Sequence, residues 1–243
     1  MLAPPDSTLP TMIAAVATTL NALDAASEID VDREKDDKKF FAAQRKLLAA
    51  YLPKLIAANR AIEDYDLGEG SRLQARVEIG DVVLDRGISV GRKRTALALV
   101  SKTGLGVEHA FGRTLATLTK EKIAIEPHKT LQAVDRMDQL PAFPERAAIA
   151  KDLTGRANTQ QGCLDDRDAG DQKRAKLVSN GLKVVNDAAH QLASIQGALA
   201  GRFTRQRDYV AAFFLDVRRP SAGGAAAVGA STPAAPAATP PAN

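Results

Sequence analysis

The chain has no tryptophan, one cysteine, three histidines, and aromatic residues at only 4% of its 243 positions. Each scarcity excludes something. A lone Cys163 rules out an intramolecular disulfide framework and a multi-cysteine zinc site. The few aromatics fall on apolar seams, which leaves no stacking platform for single-stranded nucleic acid. Abundant alanine with so few aromatics argues against a β-sandwich and for helices packed at short distance. Net charge is also small. Thirty-three Lys and Arg face 29 Asp and Glu, for a balance of +4. Nucleic-acid binders concentrate positive charge on one face or arm, whereas most basic residues here have acidic neighbours.

A leader with a basic start is missing as well, and Asp24 closes the first apolar segment. The uncharged run from Ser7 to Leu23 is Ala/Thr-rich and shorter than the roughly 20 residues of a spanning helix. Neither a secretory signal nor a membrane partner is therefore expected. With a single cysteine, the cytoplasm is the favoured location.

Motifs that carry chemistry are equally scarce. Ser101-Lys102-Thr103-Gly104 has the letters of a phosphate loop in the wrong order, and Gly104-Leu105-Gly106 does not complete Gly-x-Gly-x-x-Gly. No Glu-x-x-His occurs, so the inward ligand set of a di-iron bundle is missing. Glu108 and His109 are adjacent, about 100° apart on a helix, and Asp187-x-x-His190 stands alone. The acidic group Asp165, Asp166, Asp168 and Asp171 lacks the glycine and glutamate of a calcium loop. Cys163 has no histidine near it in sequence, and no serine sits in Gly-x-Ser-x-Gly. The sequence thus predicts no catalytic residue, no cofactor and no metal.

What is present is heptad spacing. Phe41, Leu48, Leu55 and Ile62 recur every seven residues, interrupted by Pro53, which should kink or restart the helix. Gly68 and Gly70 in DLGEG suggest a stop. Val83, Val90, Leu97, Gly104, Phe111 and Leu118 then repeat without a break through GRKRTALALVSKTGLGVEHAFG. This pattern predicts a long helix from about Leu73 to Thr119 with Gly91, Gly104 and Gly112 at close contacts. A hairpin over residues 75–90 is the alternative, because Val77 and Ile79 alternate with charged residues. Pro127 is expected to end this helix, Lys129 to Gln139 to form a short amphipathic piece, and DDRDAGDQKR to turn. Val178, Val185, Leu192 and Leu199 mark a last long helix from about Asp171 to Val217, expected to lie against the first.

The fold expected is all-α: an elongated, mostly antiparallel bundle of four or five helices, two of them long and heptad-bearing. Residues 1–10 form a flexible lead-in, 11–219 a single bundle domain, and 220–243 a disordered Pro/Ala-rich tail. Long heptad-bearing helices without catalytic clusters suit a non-enzymatic structural or interaction protein. It would act by self-assembly or by docking a protein partner. One alternative is nonspecific contact with a nucleic-acid backbone through Arg92, Lys93, Arg94, Arg202 and Arg205. Another is membrane activity through the N-terminal apolar segment.

Overall fold

The computed structural model describes residues 5–29 and 35–214. The expected tail at 220–243 and the first four residues lie outside that range. Among the described residues the fold is all-α, with no strand. Helix α1 covers Leu9–Ile29, α2 Lys35–Ala49 and α3 Tyr51–Tyr65. A π-helical turn, Asp66–Gly70, joins α3 to α4, Ser71–Leu99. Three short helices follow, α5 Val107–Phe111, α6 Ala116–Thr119 and α7 Glu126–Met137. Helix α8 then runs unbroken from Arg146 to Arg202, and α9 covers Arg207–Ala211.

Helix α8 organises everything else. Its 57 residues span roughly 85 Å at the helical rise. No proline lies between Pro144 and Pro220 to interrupt it. The continuous rod from Tyr51 to Leu99 runs antiparallel to it. Ile62 lies near Gly181, Leu73 near Gly170, and Gly91 against Ile149 and Leu153. One hydrophobic core gathers α1, α2, α3, α9 and the C-terminal half of α8 around Met12, Phe41, Leu48, Leu55, Leu192 and Ile195. A second gathers α4, α5, α6, α7 and the N-terminal half of α8 around Leu84, Ile88, Phe111, Met137 and Leu153. Between them the rods are joined by ion pairs: Asp66–Arg174 in bidentate geometry at 2.6 and 2.9 Å, Arg76–Asp166 at 2.8 Å, and Glu69–Lys173.

Several expected elements differ. DLGEG does not stop the helix; it forms the π turn, and Gly70 lets the widened backbone pass over the Tyr65 ring, where a Cβ would sit 3.1 Å from Cε1. The polar stretch DDRDAGDQKR is not a turn but the middle of α8, because its charges pair sideways with the opposing rod. Pro127 begins a helix rather than ending one, sitting in the first turn of α7, where its missing N–H costs nothing. Residues 75–90 are helix, not hairpin. As expected, the helix restarts at Pro53, which lies in the first turn of α3 just after the break from α2.

The largest departure is in the heptad from Val83 to Leu118. Helix α4 ends at Leu99, SKTGLG is a loop with Gly104 at φ +129°, and Gly112 at φ +78° ends α5. Both are left-handed values that favour glycine. Phe111 and Leu118 are buried, yet on separate short helices folded back over α4. Val83, Val90 and Leu97 are 42%, 46% and 75% exposed, so their repeat does not face the core. The buried stripe of α4 is instead Leu73, Val77, Leu84, Ile88, Gly91, Thr95 and Leu99. Of the last heptad, Val185, Leu192 and Leu199 are buried and Val178 half-buried. Leu192 packs in the α1–α3 core, not beside Leu97.

Candidate functional site

Two features stand out from the packing: an apolar stripe left outside, and a carboxyl cluster taken inside. The stripe belongs to α4. Ile79, Val82, Val83, Val90 and Leu97 are all large, aliphatic and at least two-fifths exposed, and Val100 continues them beyond the helix end at 81% exposure. Ile79, Val83, Val90 and Leu97 follow helical spacing on one side of the rod, away from the buried stripe. Where that side meets α8, a groove of about 670 Å³ opens, lined by Gly80, Val83, Ala148, Lys151, Gly155 and Thr159. The groove forms because Gly80 and Gly155 leave the surface low. Arg156 closes its floor, donating to the Val83 carbonyl at 3.1 Å and to Asp152 Oδ2 at 2.9 Å. Exposed Arg86, Lys93 and Lys151 lie on the same two helices with no carboxylate partner among the described residues.

The candidate phosphate contacts are not brought together. Arg92 donates from Nη2 to the Arg113 carbonyl at 3.0 Å, and Arg94 pairs with Glu145 at 2.9 Å. Arg202 pairs with Asp37 and lies 4.9 Å over the Phe40 ring. Gly91 sits opposite Leu153, so Arg92 and Arg202 are separated by almost the whole of α8, roughly 70 Å. Lys93 and Arg205 are exposed singly.

The carboxyl cluster went unrecognised in the sequence. Asp81 and Asp85 stand one turn apart on α4. Glu126, only 1% exposed, is the first residue of α7, and both aspartates act on it. One oxygen of each, Asp81 Oδ1, Asp85 Oδ1 and Glu126 Oε1, is buried without a donor partner. Burial, followed by the two aspartates, pushes Glu126 from its ordinary 4.5 up to about 9. Burial likewise raises Asp85. The start of a helix normally favours an anion, by about 0.3–1 kcal/mol, which is less than one pKa unit. Desolvation and like charge outweigh that here, and Glu126 is neutral at pH 7.

Among the described residues, no group of three His, Cys, Asp or Glu side chains is placed to hold a metal ion, the carboxyl cluster included. Cys163 is buried with Val77 and Leu164. His190 is exposed, and His109 is engaged with Gln139 at 2.7 Å. Helix α1 is long and apolar enough to cross a membrane, with mean hydropathy 1.2 over Leu9–Glu28. In the fold its Met12, Val16, Leu20 and Leu23 are core residues.

Comparison with protein-family models, curated proteins and solved structures returns no match for this chain.

Proposed function

We propose that the protein is a non-enzymatic interaction protein that docks a helix of a partner protein along the exposed stripe of α4 and the adjoining α4–α8 groove. The observation that carries this reading is the outward heptad: Val83, Val90 and Leu97 have coiled-coil spacing yet stay in solvent. Apolar surface is left exposed at a stability cost, and full burial of each such side chain contributes about 1.5–3 kcal/mol. Charge selects the occupant. Arg86, Lys93 and Lys151 border the stripe with no acidic partner among the described residues, so a helix flanked by carboxylates is matched. A second α4 laid in parallel is not, because it would set Arg86 against Arg86 and Lys93 against Lys93.

The test uses a fluorescent 28-residue helical peptide with leucine at a and d and glutamate at e and g, titrated with the full chain. Saturable binding that weakens with salt is expected, and Leu97→Asp and Val90→Asp should each weaken it about tenfold or more, the equivalent of about 1.4 kcal/mol. The same peptide with lysine flanks should not bind. Equal binding by wild type and both variants would overturn the reading. So would a wild-type dimer in sedimentation that Leu97→Asp dissociates, which would give the stripe to a second copy. Salt-sensitive binding of duplex DNA with no peptide binding would move it to the nucleic-acid alternative.

A further inference from the structure

The carboxyl cluster lies apart from the docking stripe, and its role follows from where Glu126 sits. The charged groups that bear most strongly on Glu126 are Asp85 and Asp81, and those that bear on Asp85 are Glu126 and Asp81. Arg92, two turns along α4, is held on the Arg113 carbonyl. On α7 itself His128 turns to Gln132, and Lys129 lines a small hollow with Glu121 and Arg136. Helices α8 and α5 also pack on α7; Arg146 of α8 is held on the Asp138 and Leu140 carbonyls, His109 of α5 is engaged with Gln139, and Glu108 is exposed. Arg92 keeps its Nε buried without a partner, and no cation is paired with Asp81, Asp85 or Glu126 among the described residues, so a proton is what turns these carboxyls from repulsion into a hydrogen bond. A neutral Glu126 donates its O–H to one aspartate; an ionised one leaves buried anions opposed.

We propose that Asp81, Asp85 and Glu126 form a proton-operated latch that holds the N-terminus of α7 on α4. Glu126 is the first residue of α7, and Thr130 and Ala133 behind it are buried at 0% and 1% exposure. Release at Glu126 therefore frays the helix whose Ala133 and Met137 share the second core with Leu84 and Ile88. High pH opens the latch and low pH closes it.

The experiment is tryptic cleavage of the full chain at Lys129, which needs α7 to open, followed from pH 7 to pH 9 beside Glu126→Gln. Glutamine keeps the shape and an N–H donor but cannot ionise, so it controls for the enzyme's own pH dependence. One proton retained by the fold makes opening about tenfold easier per pH unit until Glu126 ionises. The wild-type to Glu126→Gln ratio of cleavage rates should therefore rise by about that factor per unit and level off near pH 9. A ratio flat across the range would overturn the latch. A carboxyl-carbon NMR titration of the wild type needs no variant. A Glu126 midpoint several units above 4.5 supports the latch, and one near 4.5 overturns it.

Discussion

Gly170 and Gly162 lie on the same helix and make opposite demands. A Cβ on Gly170 would meet Leu73 Cδ1 at 2.5 Å and the Tyr65 hydroxyl at 2.6 Å, whereas one on Gly162 would meet nothing within 4 Å. In a helix interior, alanine is favoured over glycine by about 1 kcal/mol. At Gly162 that gain is unopposed, so Gly162→Ala should stabilise the fold by roughly 0.5–1 kcal/mol. At Gly170 it must compete with overpacking, typically about 1–3 kcal/mol, and Gly170→Ala should be destabilising. Urea denaturation of the two variants checks both signs. Glu126 makes a second prediction at this scale. It ionises near 4.5 in the unfolded chain and about 9 in the fold, so between those values the fold holds a proton that the unfolded chain lacks. Its contribution is complete below about pH 4.5 and is lost as pH rises to about 9. Thermal melting should accordingly begin at lower temperature at pH 8.5 than at pH 5.5, and Glu126→Gln should narrow the gap. Asp66 works the other way. Its hydrogen bond with Arg174 lowers its pKa, so its contribution is lost in acid. The pair is exposed, and its effect is correspondingly slight.

Helices α4 and α8 show how much a seven-residue repeat says about an element, and what it leaves open. Val185, Leu192 and Leu199 form a true core seam, and Val83, Val90 and Leu97 have the same spacing but face water. Spacing establishes that residues share a face; it does not say which face meets the core. In α4 the deciding signal was a second stripe, Leu84, Ile88, Gly91, Thr95 and Leu99, in which a glycine and a threonine replace large apolar residues and so weaken the pattern. The helix type, the restart at Pro53 and the α7 segment were legible because they depend on local chemistry. The loop at Gly104 was not, because its glycines fit equally a close-packed helix and a left-handed turn. The carboxyl cluster was half legible. Asp81 and Asp85 continue along the face of Ile88, Arg92 and Thr95, but their partner Glu126 lies 41 positions from Asp85 and arrives only through the fold. Leu192, 1% exposed, supplies the element-scale prediction. Its replacement by Ala should cost about 2–5 kcal/mol, and Leu192→Asp, which buries a charge, should abolish cooperative unfolding as read by circular dichroism.

At the scale of the whole molecule, two cores share one long helix, and the span between them is joined by exposed ion pairs and by a small buried cluster of Val77, Cys163 and Leu164. Such pairs contribute little each, about 0–1 kcal/mol, so damage to one core should spread only weakly to the other. Hydrogen exchange on Leu192→Ala should show lost protection in α1, α2 and α3 and near-native protection in α7. Uniform loss through both ends would mean a single cooperative core.

The direction in which the α4 heptad faces underlies both the architecture and the docking proposal. Urea denaturation of Leu97→Asp measures it directly. With Leu97 75% exposed, the variant should unfold cooperatively within about 0.5–1 kcal/mol of wild type, the range of a surface substitution plus the lower helix propensity of aspartate. A loss of several kcal/mol, comparable to that of a buried leucine, would place Leu97 in the core and contradict the account.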